Sequence, residues 1–291
     1  MRYIVSPAQA YEEWKKGGAV FVDCRFVLGQ PRAGRDAYEA ERIPGAHYLD
    51  LEEDLSAPKR PDGTGGRHPL PDPGVLAAKL TRLGIAEGRR VIAYDDQGGA
   101  MAARLWWLLG YLGHDDACVL DGGFSAWKRA GYPTEAGGAE EPPAQELSSG
   151  RGTGSGNAVF VPRPRAEWVV GAEDVLARRD RIADGRVVLI DSREETRYRG
   201  LAEPIDPVAG HIPGARHMFW KANLDAEGRF RSVRELMKRF EPLQGAEEII
   251  VYCGSGVTAC PNVLALREAG FSNVKLYAGS WSDWISDPSR P

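Results

Sequence analysis

The chain has 291 residues, of which 43% are hydrophobic and 27% charged, and its formal net charge is -4. This is the composition of an ordinary globular protein with enough chain for two domains. The acidic balance disfavours a nucleic-acid binder that relies on a broad basic surface. Because no apolar run is long enough to form a membrane helix and residues 1–7 lack the apolar core of a signal peptide, we expect a cytoplasmic protein with no membrane or nucleic-acid partner.

Taken in chain order, the predicted elements form the same series twice, as short β-branched runs that alternate with helix-like segments. The matched segments are residues 20–25 with 188–193, 42–46 with 211–215, 91–95 with 249–253, and 121–127 with 278–284. Such alternation is typical of a mainly parallel sheet flanked by helices. We therefore predict an α/β fold with two tandem domains, residues 1–133 and 159–291.

Residues 134–158 between the two domains are rich in Gly, Pro, Ser, Glu and Ala. The alternating glycines at 150–156 superficially resemble a phosphate-binding loop, but no strand precedes them and no helix follows directly. The composition favours a flexible linker.

A single cysteine, Cys253, follows the buried strand predicted over residues 249–252 and is followed by a loop rich in glycine. Helical spacing of apolar residues resumes after this loop, so its amides and the positive helix end should favour a thiolate. Gly254 and Gly256 are expected to supply the unusual backbone torsions of the turn. An ordinary buried core cysteine is the alternative interpretation of Cys253 alone.

The other cysteines show no CxxC pair and no spacing of zinc ligands, so we expect reduced thiols with neither a metal nor a cofactor; they are Cys24, Cys118 and Cys260. Cys260 is expected about two turns inside the helix as a core residue, and a resolving thiol is the less favoured alternative.

The first half has Asp95 where the second half has Cys253. A carboxylate cannot carry sulfur, so the first half should be catalytically silent. This half also has eleven more residues between Ile43 and Tyr94 than the second has between Ile212 and Tyr252, and the surplus falls in the irregular loop 56–69. Long loops of this kind often carry functional residues.

These features resemble the rhodanese-type sulfurtransferases in their two-domain form, whose first domain is inactive. The resemblance rests on the paired Asp-x-Arg strand ends, the paired Ile-Pro-Gly-Ala segments, the cysteine loop and the ending Gly-Ser-Trp-Ser-x-Trp at 279–284. It implies a sulfane sulfur carried as a persulfide on Cys253. The donor would be 3-mercaptopyruvate or thiosulfate, and the acceptor cyanide, a small thiol or thioredoxin.

The loop sequence of residues 253–258 resembles that of enzymes that use 3-mercaptopyruvate, whereas thiosulfate enzymes have basic residues in place of Gly254 and Ser255. The substrate-binding loop residues implied by the resemblance are Gly254, Gly256, Val257 and Thr258, with Thr258 acting as a loop-stabilising hydroxyl. Arg197 matches an arginine that binds the donor carboxylate, and a solvated surface charge is the less favoured alternative. The second arginine of those enzymes is absent, and acidic residues occupy 203–207 instead.

The resemblance also implies a relay of Ser255 and His68 that manages protons near the sulfur. The supporting acid is left open between Asp50 and Glu52, and His68 could instead only stabilise its loop.

Two other functions compete with the sulfurtransferase. A cysteine phosphatase needs an arginine at the position of Ala259, and a non-catalytic binding module would have no use for Cys253 in a complete glycine loop.

Overall fold

The computed structural model describes residues 2–137 and 158–291, so most of the predicted linker 134–158 lies outside the described residues. The described chain forms two sheets of five parallel strands, each flanked by helices, and the predicted fold class is confirmed. No helix in these two ranges is long and apolar enough to cross a membrane.

The first sheet has the strand order β1-β5-β4-β2-β3. Its strands and helices are β1 (Ile4–Val5), α1 (Pro7–Lys15), β2 (Ala19–Asp23), α2 (Ala33–Ala40), β3 (His47–Tyr48), α3 (Pro73–Arg82), β4 (Arg90–Tyr94), α4 (Ala100–Tyr111), β5 (Ala117–Leu120) and α5 (Gly123–Arg129). In β4 the run Arg-Val-Ile-Ala-Tyr is nearly all buried, as a central strand covered on both faces requires.

The second sheet repeats this order as β6-β10-β9-β7-β8. Its elements are β6 (Val169–Val170), α6 (Ala172–Ala177), α7 (Arg179–Ala183), β7 (Val187–Asp191), α8 (Glu195–Tyr198), β8 (Arg216–His217), α9 (Val233–Phe240), β9 (Glu248–Tyr252), β10 (Val274–Tyr277) and α11 (Ser280–Trp284), with α10 (Cys260–Glu268) between β9 and β10. Short 3-10 helices cover Ala166–Trp168, Trp220–Asn223 and Glu241–Leu243. The duplication seen in the sequence is therefore a duplication of topology.

The two halves share one hydrophobic core. Helices α4 and α10 contact each other, and residues of both, such as Leu105 and Val263, are fully buried in a single cluster. Helix α4 is apolar on nearly all sides, which suits a helix enclosed by protein on every face. A smaller cluster on the outer side of each sheet completes each half. This packing brings the loop after β9 against the long loop of the first half.

Candidate active site

Cys253 directly follows β9 at the carboxyl edge of the second sheet and is only 1% exposed. Its backbone N–H donates to Oγ of Ser280 at 3.1 Å, and its carbonyl accepts from the N–H of Trp281 at 3.0 Å. Among the described non-glycine residues, Ser280 alone has a left-handed backbone, with φ of 57°. The chain accepts this strain where the Ser280 hydroxyl fixes the cysteine backbone.

The two glycines of the cysteine loop are required for different reasons. Gly256 has φ of 76°, and a Cβ there would lie 2.1 Å from the carbonyl oxygen of Ala278. Gly254 is not left-handed, so the torsion expected there is wrong; instead, its Cβ would lie 2.9 Å from Nη2 of Arg67 and 3.4 Å from Nη2 of Arg197. Gly254 thus leaves room for two guanidinium groups above the loop.

The remaining loop residues take different positions around the turn. Val257 is buried, whereas Thr258 is partly exposed. Cys260 is the first residue of α10, so its expected place two turns inside the helix is wrong, although it is fully buried as a core residue should be. Its Sγ donates to the carbonyl of Gly256 at 3.3 Å. Burial raises the pKa of Cys260 to about 12, so it remains a protonated thiol at neutral pH.

The matching loop of the first half shows where this turn holds an anion. One carboxylate oxygen of Asp95 accepts the N–H groups of Gln97 and Gly99 at 2.9 and 2.8 Å, and the other accepts those of Met101 and Ala102 at 2.8 and 2.9 Å. Burial raises the pKa of Asp95, and these four backbone donors oppose the rise. In the second half Cys253 takes the matching position, but its loop runs two residues further before α10 begins, and Gly256 is left-handed there where Gly98 and Gly99 both are in the first half.

His68 and Ser255 come from different halves and meet beside the cysteine loop. Nδ1 of His68 lies 2.7 Å from Oγ of Ser255, and both residues are buried. Burial lowers the pKa of His68 to about 3, with Arg104 and Arg67 acting in the same direction. The imidazole is therefore neutral, and a neutral ring can accept the Ser255 proton at Nδ1.

Of the two candidate acids for His68, Glu52 lies near the ring and Asp50 is otherwise engaged. Oε1 of Glu52 is 3.8 Å from Nε2 of His68. The carboxylate of Asp50 accepts from the hydroxyl of Tyr48 at 3.1 Å and from the backbone N–H groups of Glu52 and Glu53. Since the imidazole is neutral and the separation is 3.8 Å, this contact is neither an ion pair nor a hydrogen bond.

Arg197 is a partly buried residue held by the acidic segment that replaces the second arginine. Its Nε lies 3.0 Å from both carboxylate oxygens of Glu203, and its Nη2 lies 2.7 Å from Glu203 and 3.1 Å from Asp206. Its side chain is 12% exposed, so the solvated surface charge is excluded. The acidic residues hold the edge formed by Nε and Nη2, and both Nη2 and Nη1 lie near the Cβ position of Gly254, at 3.4 and 3.6 Å.

Arg67 is a site residue that the sequence analysis missed. It forms an ion pair with Asp206 across the two halves through Nη1, and its backbone N–H donates to Oγ of Ser282 at 3.0 Å. Its Nη2 is directed at Gly254, and its buried Nε has no partner among the described residues. The signal available in the sequence was its place directly before His68 in the long loop. Arg67 thus supplies, from the first half, a second guanidinium beside Arg197.

The family comparison agrees with this geometry. The rhodanese-like domain family matches residues 6–130 and 177–287, which are the two halves. The chain belongs to the rhodanese family. Its sequence is 46% identical over 274 residues to a probable 3-mercaptopyruvate sulfurtransferase of Pseudomonas aeruginosa, a match that covers 93% of this chain and 90% of the relative. It is 31% identical to the 3-mercaptopyruvate sulfurtransferase of Homo sapiens, with 87% and 81% of the two chains covered.

Comparison with a solved structure supports the same family. The crystal structure of SseA from Escherichia coli superposes with a TM-score of 0.78 at 30% identity, covering 97% of this chain and 99% of that one. The predicted family and the predicted class of enzyme, a sulfurtransferase, are thereby confirmed. Within residues 2–137 and 158–291, no group of three or more His, Cys, Asp or Glu side chains is placed to hold a metal ion.

Proposed function

We propose that this rhodanese transfers the sulfur of 3-mercaptopyruvate to a thiophilic acceptor through a persulfide on Cys253. The observation that carries the proposal is the pair of guanidinium groups, Arg67 and Arg197, directed at Gly254 beside the cysteine. A keto acid carries its carboxylate several ångströms from its sulfur, so cations beside the loop suit it better than cations within the loop. Thiosulfate, a compact dianion, is the weaker donor on this argument.

The chemistry balances without a cofactor. The Cys253 thiolate attacks the donor sulfur, an S–S bond forms, and the donor C–S bond breaks with its electron pair going to carbon. The proton of the donor thiol moves to that carbon and gives pyruvate. Cyanide then attacks the outer sulfur, which yields thiocyanate and restores the thiolate. A small thiol or thioredoxin would take the sulfur in the same way.

The Ser255–His68 pair is suited to the proton transfer in the first step. In the tautomer protonated at Nε2, neutral His68 accepts the Ser255 hydroxyl at Nδ1, and the pair can then pass a proton between donor thiol and carbon without either side chain changing its net charge. Glu52 lies 3.8 Å from the opposite ring nitrogen, Nε2, which suits the tautomer that carries its proton there. The four cysteines are free among the described residues, which is consistent with the proposed cytoplasmic location.

The test is thiocyanate production from cyanide with 3-mercaptopyruvate or thiosulfate, with a phosphatase assay alongside. Cys253→Ser should abolish thiocyanate formation, because no sulfur remains to carry the persulfide. Cys260→Ser is the matched control and should retain it, since the Cys260 thiol stays protonated. Mass spectrometry after donor treatment should show one added sulfur on Cys253. Absence of thiocyanate with both donors from folded protein would reject the proposal, and phosphate release would favour the phosphatase.

A further inference from the structure

Arg104 is the only charged side chain in the sequence of α4, and it is 0% exposed at the junction of the two halves. Its Nη1 donates to the carbonyl of Gly256 in the cysteine loop at 3.2 Å. Its Nη2 donates to the carbonyls of His68 at 3.2 Å and Leu55 at 3.4 Å. Arg104 therefore bonds both to the loop of the nucleophile and to the loop of the histidine.

The partners of Arg104 are all neutral. Its Nε is buried without a partner among the described residues, and no carboxylate there forms a salt bridge with it. Two other buried arginines, at the ends of β2 and β7, behave differently: Arg25 pairs with Asp23 at 2.6 Å and Arg193 pairs with Asp191 at 2.6 Å. A buried cation without an anion is expensive by several kcal/mol. Such a charge is stabilised when an anion forms next to it.

Two cysteines are the acidic groups that act on Arg104. Burial lowers the pKa of Arg104, and Cys260 and Cys253 oppose that shift. Gly256 accepts both from Arg104 and from the Cys260 thiol, so the guanidinium lies against the cysteine loop. Cys253 is the other thiol of this loop and the residue proposed to carry the sulfur.

The other charged or titratable groups around the loop are exposed to solvent, neutral, or paired with an opposite charge. They are Glu52, Lys59, Arg67 and His68 from the first half, and Arg197, Glu203, Asp206 and Cys260 from the second. Arg67 and Arg197 are paired with Asp206 and Glu203, and His68 is neutral. Arg104 is the buried cation of this set that lacks a carboxylate.

We propose that Arg104 is a positioning residue, supplied by the catalytically silent half, whose buried positive charge stabilises the thiolate and the persulfide of Cys253. The inference rests on Cys253 as the sulfur carrier. The charge of Arg104 acts in a low-dielectric interior, where salt does not screen it as it would screen a surface cation. The first half thus contributes to the ionisation of a nucleophile that it does not carry.

The test measures the pH dependence of Cys253 alkylation by iodoacetamide in the full chain, with tandem mass spectrometry to separate Cys253 from Cys260. Arg104→Met should raise the apparent thiol pKa by about one unit or more, which is a tenfold loss of thiolate below that pKa. Arg239→Met is the matched control, because Arg239 also donates to neutral acceptors, Asn223 and Phe219, away from the loop. That control should leave the alkylation profile unchanged.

A folded Arg104→Met protein with the wild-type profile would overturn the proposal, since it would show that Arg104 only cross-links the two loops. If that variant does not fold, the wild-type protein decides. Its Cys253 pKa should lie below the ordinary value of about 8.5 and should be the same at low and at molar salt. A pKa of 8.5 or above, or one that rises with salt, would overturn the proposal. Alkylation needs no donor, so a failure of the donor chemistry is detected separately in the thiocyanate assay.

Discussion

The loops after β4 and β9 begin at matched positions, Asp95 and Cys253, but the second loop runs two residues further before its helix begins. In the first half, Asp95 occupies the turn and its carboxylate accepts four backbone N–H groups. In the second half, Cys253 occupies the matching position. The carboxylate of Asp95 marks the position at which the first loop stabilises negative charge.

The segment that closes each turn also differs in one informative way. Gly123 in the first half has φ of 63°, and Ser280 in the second has φ of 57°. Glycine adopts this conformation without strain, whereas serine does not. The second half keeps a serine there because its Oγ accepts the N–H of Cys253. Strain is thus confined to the half that positions a nucleophile.

The variant with the largest expected effect gives the second loop the residue that the first loop has at the matching position. Cys253→Asp should remove all thiocyanate formation, because the carboxylate has no sulfur to exchange. Its thermal stability should equal or exceed that of Cys253→Ser, since the carboxylate can accept the N–H groups that Asp95 accepts in the first half. Differential scanning calorimetry of both variants measures this. A Cys253→Asp protein that melts below Cys253→Ser would show that the two turns are not equivalent.

The reverse change removes the anion from the first loop. Asp95→Ala leaves four buried N–H groups without their acceptor, and we expect a loss of about 3 kcal/mol in the free energy of unfolding, measured in urea. The matched control is Asp96→Ala, because exposed Asp96 accepts one N–H, from Ser125. The control should lose less than about 1 kcal/mol. Equal losses in the two variants would contradict the role given to Asp95.

The histidine that the first half supplies gives a pH test. The pKa of His68 is about 3 in the folded protein, below the unfolded value of about 6.5, so the unfolded state binds the proton more readily. Its contribution is fully present above pH 6.5 and is lost as the pH falls towards 3. We expect wild type to lose about 2 kcal/mol more than His68→Gln between pH 7 and pH 5. Parallel urea curves for the two proteins over this range would contradict the low pKa.

Arg197 allows a test of donor binding, because the two halves differ at this position. Four residues after the strand-end arginine, the second half has Arg197 and the first half has Gly29, so only the second half has this guanidinium. Arg197→Ala should raise KM for 3-mercaptopyruvate about tenfold with a smaller effect on thiosulfate, and Arg67→Ala should act in the same direction. Steady-state kinetics with both donors measures this. Equal effects on the two donors would remove the carboxylate role.

The fold and the cysteine loop could be predicted because their signals are local. The run of residues 249–252 predicts a buried strand from its own sequence. The repeated Asp-x-Arg and Ile-Pro-Gly-Ala segments show that the second half has the same fold as the first. The contact between His68 and Ser255 was accessible only through the family resemblance, since 187 positions separate them.

The cations could not be predicted in the same way. Arg67 reaches Gly254, and Arg104 reaches Gly256, only because α4 packs against α10, and no spacing in the sequence encodes that contact. A lone arginine within an otherwise apolar helix was a visible sign for Arg104. Which of Asp50 and Glu52 faces His68 depended on the hydrogen bonds of one loop, and residue type alone could not decide it.

The shared interior of α4 and α10 means that catalytic silence does not make the first half dispensable. A fragment that began at the second half would leave the apolar side of α10 in water, where it would favour self-association. It would also lack the imidazole and two of the guanidinium groups that surround its own nucleophile. Under the proposed function, neither half alone would therefore hold the complete set of site residues.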